Sequence, residues 1–292
     1  MPHKAGFVNI IGKPNVGKST LMNALVGEKL AIITPKAQTT RQRILGIVND
    51  ENYQVVFSDT PGIMEPNYKL QEAMMREVET AFEDADILLY LVEAGERTDQ
   101  NEIITKIKNT GIPVIVVINK IDKSDQASLE LKINTWQQIF PDADIIPVSA
   151  LLNVNTRTLF DRILEKLPES PPYYEKDALT DKSERFFVAE KIREKILLNF
   201  KKEVPYSVEI AVDQFKERDN LIHIMAYIFV ARESQKAIIL GHQGKAIKRV
   251  GTQARRDLED WLGKKIFLEL SVKVLKNWRD SEKELKKLGY DL

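Results

Sequence analysis

The run Gly12-Lys13-Pro14-Asn15-Val16-Gly17-Lys18-Ser19 sets two glycines with four residues between them ahead of a lysine and a hydroxyl. These residue types suit a backbone loop wrapped around phosphate oxygens, because glycines permit close approach and let successive N–H groups turn inward. Lys18 supplies a positive charge for β- and γ-phosphates, and the Ser19 hydroxyl can ligate Mg²⁺. The loop follows the apolar run Phe7–Ile11 and opens a helical segment, Ser19–Val26. A helix N-terminus there, with Thr20 beside Ser19, adds a partial positive charge. Outside that context a glycine turn would be the plainer reading; inside it, the pattern reads as a phosphate site.

Asn119-Lys120-Ile121-Asp122 addresses which base is bound. It directly follows the apolar run Val114–Ile118, at the strand end where open α/β sheets bind ligands. A carboxylate at Asp122 can accept from guanine N1–H and the exocyclic N2 amine. Adenine offers neither donor there, and leaving the carboxylate unpaired would cost about 1–3 kcal/mol. Asn119 is expected to contact the base and tie loops together, with the Lys120 stem over the ring. Val148-Ser149-Ala150, again at a strand end, can offer the Ala150 N–H to guanine O6.

Two further segments lie where a γ-phosphate would be sensed. Asp59-Thr60-Pro61-Gly62 follows an apolar run, so Asp59 can hold Mg²⁺ through a water while the Gly62 N–H meets the γ-phosphate. Lys36-Ala37-Gln38-Thr39-Thr40-Arg41 lies between the first helix and the second strand candidate. Thr40 is the expected second Mg²⁺ hydroxyl, with Thr39 as the rival. Such loops are ordered by γ-phosphate contacts and released on hydrolysis.

The elements that must position these loops alternate in type. Apolar runs at Phe7–Ile11, Tyr53–Phe57, Ile87–Val92, Val114–Ile118 and Ile145–Val148 read as strands. Helical periodicity marks Lys69–Phe82, Glu102–Asn109 and Leu129–Ile139. Alternation of this kind predicts an α/β fold, a P-loop domain with a mostly parallel sheet covered on both faces. The stretch LPESPPYYEKDALTDKS keeps no period and carries three prolines, so it reads as a linker. The expected division is 1–167, a linker at 168–183, and 184–292. The last segment predicts a helix at Arg185–Lys202, strands at Ser207–Phe215 and Leu221–Ala231, and a helix at Ser234–Leu240. After the turn Gly241-His242-Gln243-Gly244 come a helix at Lys245–Leu262 and a strand at Lys265–Val274. The order α-β-β-α-α-β predicts a smaller α+β domain.

Composition bounds the rest. The 292 residues are 43% hydrophobic and 29% charged, which suits folded domains and not a disordered chain. There is no cysteine, so disulfides and thiolate metal sites are excluded. No signal peptide and no membrane span is expected, and the cytoplasm is the predicted location. The formal charge is zero, but residues 1–183 hold 20 Lys and Arg against 26 Asp and Glu, and residues 184–292 hold 23 against 17. The basic second half points to an anionic partner.

The motifs GKPNVGKS, QTTRQ, DTPG, NKID and VSA occur in this order in the translation-factor class of small GTPases. With GKPNVGKST, KAQTTR, DTPG, PYSVEI, the GHQG turn and the terminal KKLGYDL, the chain resembles the Era family of GTPases over almost its whole length. The resemblance implies a GTPase domain followed by a type II KH domain, whose G-x-x-G loop clamps single-stranded RNA. Gly241, His242, Gln243 and Gly244 would form that loop. Lys245, Lys248 and Arg249, with Arg255 and Arg256 beyond, would neutralise the phosphate backbone. From this segment alone, a helix–helix turn followed by a solvated basic face stands level with RNA binding. The implied partners are the 3′ end of 16S ribosomal RNA and the small (30S) ribosomal subunit during assembly. Peripheral attachment to the inner face of the cell membrane and a monomeric state are further expectations. Nothing in the sequence itself requires the membrane.

At the position after D-x-x-G, where many GTPases carry a water-orienting glutamine, this chain has Ile63. The resemblance therefore implies slow hydrolysis of GTP to GDP, with Lys18, Thr40 and Gly62 as catalytic contributors. It also implies that Asn15 helps hold K⁺ between the phosphates. Two other classes are open at this stage, a constitutive RNA-binding protein and a P-loop kinase or ATPase. Intact Lys18, Ser19 and Asp59 argue against the first, and Asp122 against both.

Overall fold

The computed structural model describes residues 2–97 and 102–291. Its residues group into two compact units, one comprising Met1–Glu65 and Met74–Asp181 and the other Pro66–Ala73 and Lys182–Leu292. Leu292, the end of the KKLGYDL motif, lies outside the described residues.

The first unit runs β1 (Lys4–Ile11), α1 (Lys18–Val26), β2 (Ile44–Asn49), β3 (Tyr53–Asp59), α2 (Lys69–Glu83, from Met74 onward), β4 (Ile87–Glu93) and α3 (Glu102–Thr110). It continues with β5 (Val114–Asn119), α4 (Gln126–Ile139), β6 (Asp144–Pro147) and α5 (Thr156–Lys166). The sheet order is β2-β3-β1-β4-β5-β6. Every neighbouring pair is parallel except β2 with β3. Strands β4 and β5 are buried almost end to end, as continuous apolar runs covered on both faces should be. On one face Trp136 of α4 and Phe140 just after it pack on Tyr90 of β4, with the Tyr90–Trp136 ring centroids 5.5 Å apart. Because the five strands β3, β1, β4, β5 and β6 run in one direction, the loops after β1, β3, β5 and β6 emerge at one edge of the sheet.

In the first unit β2 and α5 went unpredicted. Within the stretch expected as a linker, residues 168–181 are laid against the first unit. Gln54, fully buried, accepts from the Tyr173 and Tyr174 N–H groups at 2.7 and 2.9 Å and donates to the Tyr174 carbonyl at 2.8 Å. Tyr173 packs on Phe7 with centroids 5.1 Å apart. Farther on, the Ile47 N–H donates to the Leu179 carbonyl at 2.8 Å, and the Leu45 N–H to Asp181 Oδ1 at 3.0 Å. The strap thus occupies the free edge of β2, and its hydrogen bonds come from side chains and one edge strand. No residue periodicity announces them.

The second unit contains α6 (Glu184–Asn199), β7 (Val208–Arg218), β8 (Leu221–Val230), α7 (Glu233–Leu240), α8 (Lys245–Leu262), β9 (Lys265–Val274) and a short α9 (Glu282–Lys287). Its sheet order is β7-β8-β9, antiparallel and then parallel. The expected α-β-β-α-α-β order is present, with α9 added. Ser183 caps α6 by accepting from the Phe186 N–H. Alternate residues of β8, including Ile222, Ile224 and Ile228, join α6 and α8 in one apolar core. The tail is pinned by Trp278, which is fully buried and donates to the Ser207 carbonyl at 3.2 Å. Tyr290 also holds it, donating to Glu209 at 2.7 Å.

A candidate nucleotide site and a basic groove

The loop between β1 and α1 is shaped by close backbone approaches. Gly17 sits at φ +103°, and a Cβ there would lie 2.3 Å from Asn119 Nδ2, so only glycine fits. Lys18 Nζ donates to the Gly12 and Lys13 carbonyls at 3.1 and 2.8 Å, which curls the loop around the ammonium. Burial pushes Lys18 down to about 8, against the opposing pull of Asp59. Lys13 itself turns outward to an ion pair with Glu96. Asn15 is exposed at φ 65°.

Asp59 Oδ2 accepts from Ser19 Oγ at 2.7 Å and from Thr40 Oγ1 at 2.9 Å, and the two hydroxyls lie 3.0 Å apart. This brings the two predicted hydroxyls and the carboxylate to one point. Thr39 instead donates to the Lys36 carbonyl at 2.6 Å and bonds Thr34 Oγ1, so it braces its own loop. Asp59 Oδ1 is buried with no hydrogen-bond partner. Burial raises the Asp59 carboxyl, opposed by Lys18 and the two hydroxyls. An orphaned carboxylate oxygen beside two hydroxyls is a hard-oxygen set that suits Mg²⁺. Ser19, Thr40 and Asp59 are therefore the residues that would hold it.

Asn119 ties the loops together. Its Nδ2 donates to the Val16 carbonyl at 2.8 Å, and its Oδ1 accepts from the Ala150 N–H at 3.0 Å. The Ala150 N–H, expected to face guanine O6, is thus engaged by Asn119 in this structure. Asp122 Oδ1 accepts from Ser149 Oγ at 2.5 Å, which fixes the carboxylate, while Lys120 pairs with Glu93 at 2.6 Å. Lys120 holds φ 62°, which turns the chain sharply out of β5. After β3, the Ile63 N–H donates to the Gly12 carbonyl at 3.1 Å, and Gly62 lies against Pro14, where a Cβ would come within 2.7 Å.

These parts surround a cavity of about 440 Å³. Of the predicted residues, Pro14, Asn15, Gly17, Lys18, Ser19, Thr20, Thr40, Thr60, Gly62, Asn119, Lys120 and Asp122 line it. Gly12, Lys13, Val16, Asp59, Pro61, Ile63, Ile121, Ser149 and Ala150 are not among its lining residues, and most of the contacts above place them just behind it. Unpredicted lining comes from Ile32, Ile33, Thr34 and Pro35 of one loop, from Lys123 next after Asp122, and from Leu151 next after Ala150. The signal for Lys123 and Leu151 was adjacency, since each follows a motif directly. Ile33 and Leu151 are exposed apolar residues, at 47% and 72%. The loop at 32–35 carries no pattern.

In the second unit, Gly241 has φ 69°, and a Cβ there would meet the Ala246 side chain at 2.6 Å. Gly244, at φ 73°, faces open space. His242, Gln243, Lys245, Lys248 and Arg249 are exposed, and Gln243 is itself left-handed at φ 51°. A groove of about 260 Å³ runs beside them, between Ile247, Lys248, Gly251, Thr252 and Arg255 of α8 and Leu268 and Leu270 of β9. The β9 leucines and Gly251 were missed. Their signal was the alternation of β9, whose even positions turn to the helices. Ile239 and Val250 belong to the core.

Comparison with known proteins agrees with this arrangement. A family described as 50S ribosome-binding GTPase matches residues 7–120, and the KH domain family matches residues 203–279. GTPase Era of Syntrophus aciditrophicus is 47% identical over 99% of this chain and 95% of its own. GTPase Era of Caldanaerobacter subterraneus subsp. tengcongensis is 45% identical over 99% of both. This chain belongs to the Era family of GTPases. Among solved structures, an Aquifex aeolicus Era variant bound to GDP and aluminium tetrafluoride superposes with a TM-score of 0.95 at 41% identity, covering 99% of this chain and 100% of that one. An Era complex with MgGDPNP and nucleotides 1506–1542 of 16S ribosomal RNA gives 0.94 at 42% identity with the same coverage. The fold of this Era-family chain is accordingly a P-loop GTPase domain with a mostly parallel sheet followed by a KH domain.

Proposed function

We propose that the chain is a GTP-binding and GTP-hydrolysing switch that binds the 3′ end of 16S rRNA and assists maturation of the small ribosomal subunit in the cytoplasm. The observation that supports this most is the joint presence of a guanine-side carboxylate, Asp122, and a Ser19–Thr40–Asp59 cluster around one cavity. The RNA part draws on the groove at α8 and β9 and on the rRNA bound by the solved Era relative.

In this reading Asp122 accepts from guanine, and Ser149 keeps it oriented. Lys18 holds a positive charge against the phosphates as charge develops, in a buried place where electrostatics act strongly. Mg²⁺, when bound by Ser19, Thr40 and Asp59, neutralises phosphate charge. Ile63 cannot orient a water, so turnover of the isolated protein is slow. Asn15, exposed at the mouth of the loop, is assigned to K⁺; equal turnover in potassium and sodium buffers would remove that role. Gly241–Gly244, Lys245, Lys248 and Arg249 clamp the RNA backbone, and hydrolysis releases the RNA. The working unit is a monomer. No helix of the described residues is long and apolar enough to cross a membrane, and peripheral attachment to its inner face rests on the resemblance alone.

The test is crosslinking in cells followed by sequencing of the bound RNA, for the native chain and Asp122→Asn. Enrichment of the 16S 3′ end that collapses in the variant supports the reading. The same RNA from both sinks nucleotide control, and scattered RNA from both sinks the rRNA assignment.

A further inference from the structure

The three-stranded sheet of the second unit covers its helices with one face only. On the other face, strand alternation puts Leu221, His223, Met225, Tyr227 and Phe229 of β8 outward, because the intervening residues are core. The register of β9 places Phe267 beside His223 and Lys273 beside Phe229. The His223 and Phe267 rings are 5.1 Å apart, and Phe267 is 53% exposed. Tyr227 and Phe229 are 6.1 Å apart, with Lys273 Nζ 3.2 Å from the Tyr227 ring centre. Two ring pairs therefore lie on the face of the small sheet turned away from its apolar core, those of β8 half-buried and Phe267 exposed.

The charges around these rings are mostly of one sign. Register puts Lys216 and Arg218 of β7 and Lys265 and Lys273 of β9 on the same face. Of the carboxylates there, Glu269 is bonded to His223 at 2.9 Å and Glu209 is buried under the Tyr290 hydroxyl. Asp213 sits out of register at the β-bulge between Val212 and Gln214. Aromatic rings ringed by Lys and Arg are the surface chemistry that stacks unpaired bases and holds their phosphates. A protein partner would need no such excess of positive charge.

Continuity selects the occupant further. Strand β9 is an edge strand, and it serves both faces: Leu268 and Leu270 line the groove, while Phe267 and Lys273 stand on the open side. A chain leaving the groove has to pass one strand, about 5 Å in width, to reach the rings. We propose that the open face of the β7-β8-β9 sheet is a second RNA surface, on which Phe267 and Tyr227 stack unpaired bases of the strand whose neighbouring part lies in the groove. This rests on the groove reading of the preceding section and extends it.

The experiment uses the full chain with GDPNP and labelled single-stranded RNA from the 16S 3′ end in two lengths. One is about four nucleotides, the span a KH groove clamps, and the other is longer by roughly six. Phe267→Ala and Tyr227→Leu should each weaken the long RNA by roughly fivefold or more, and the short RNA by less than twofold. Unchanged affinity for the long RNA overturns the proposal, as does an equal loss for both lengths. Ultraviolet crosslinking of the native chain supplies a measurement that no folding defect can confound. Adducts on peptides holding Phe267 or Tyr227 support it, and adducts confined to 241–256 overturn it. Lys248→Glu separates the two readings. If it leaves both RNAs bound as before, the groove reading fails; if it abolishes both while the face variants bind normally, only the second surface falls.

Discussion

Replacing Asn119 by alanine is the sharpest test of how the nucleotide site is held together. Its amide serves two buried backbone groups, the Val16 carbonyl at 2.8 Å and the Ala150 N–H at 3.0 Å. Val16 and Ala150 are 3% and 4% exposed, so water cannot readily replace the lost partner. Each unsatisfied group costs about 1–3 kcal/mol, and the pair therefore about 2–6 kcal/mol. Against a typical domain stability of roughly 5–15 kcal/mol, the low end already matters. Hydrogen exchange of the nucleotide-free chain, followed on peptides from 12–20 and 146–155, reads the effect locally. A loss of about 2 kcal/mol speeds exchange at Ala150 about thirtyfold where opening is local. Asn119→Asp sharpens the reasoning, since it keeps an acceptor for Ala150 and removes the donor to Val16. Ala150 should then stay protected while GDP affinity falls. Unaltered exchange at Ala150 in the alanine variant would refute the assignment of its N–H to Asn119.

Four further outcomes are expected. Thr40→Ala should raise the Mg²⁺ concentration needed for GTP turnover by roughly tenfold, the loss of one charge-assisted hydroxyl contact, while Thr39→Ala changes it little; a Mg²⁺ titration of turnover in which the two variants rank the other way would reverse the choice of hydroxyl. Lys18, held at about 8 and far below its unfolded value, binds fewer protons folded than unfolded above that pH, so stability of the nucleotide-free chain should rise with pH from about 8 towards 10.5. For the same reason nucleotide binding above pH 8 should take up a proton, which calorimetry in two buffers of different ionisation enthalpy measures; zero uptake at pH 9 contradicts a depressed Lys18. Gly241→Ala should lower the melting temperature and RNA affinity together because its Cβ meets Ala246, whereas Gly244→Ala, facing open space, carries only the backbone cost of about 1 kcal/mol; equal melting temperatures for the two variants would contradict the packing described.

Most of the nucleotide site was legible because each part is local. A loop, a carboxylate or an N-K-x-D turn falls directly after an apolar strand, and parallel strands deliver such loops to one edge. What stayed hidden depends on contacts between distant residues. Strand β2, ILGIVN, has a glycine inside a short apolar run after a polar loop, and only pairing with β3 makes it a strand. Helix α5 buries Leu159, Phe160 and Ile163, a stripe too brief to stand out beside its charged face. Thr40 is already the expected hydroxyl from the sequence, but its bond to Asp59, nineteen residues away, appears only in the structure. The engagement of Ala150 by Asn119 spans 31 residues and has no sequence pattern. The second-unit groove was half visible: α8 announced its cations, but Leu268 and Leu270 acquire meaning only once β9 lies beside that helix.

The strap along β2 bears on where this protein can be cut. An isolated β-strand edge offers a row of free backbone groups to any passing strand, and aggregation follows readily from it. A fragment ended at residue 167, where the sequence pattern stops, would bare the Ile47 N–H and strip the tyrosine cover from Phe7 and Gln54. A fragment ended at 181 keeps both. The proline-rich stretch is thus a built-in guard against self-association, and the shortest well-behaved nucleotide domain should include it.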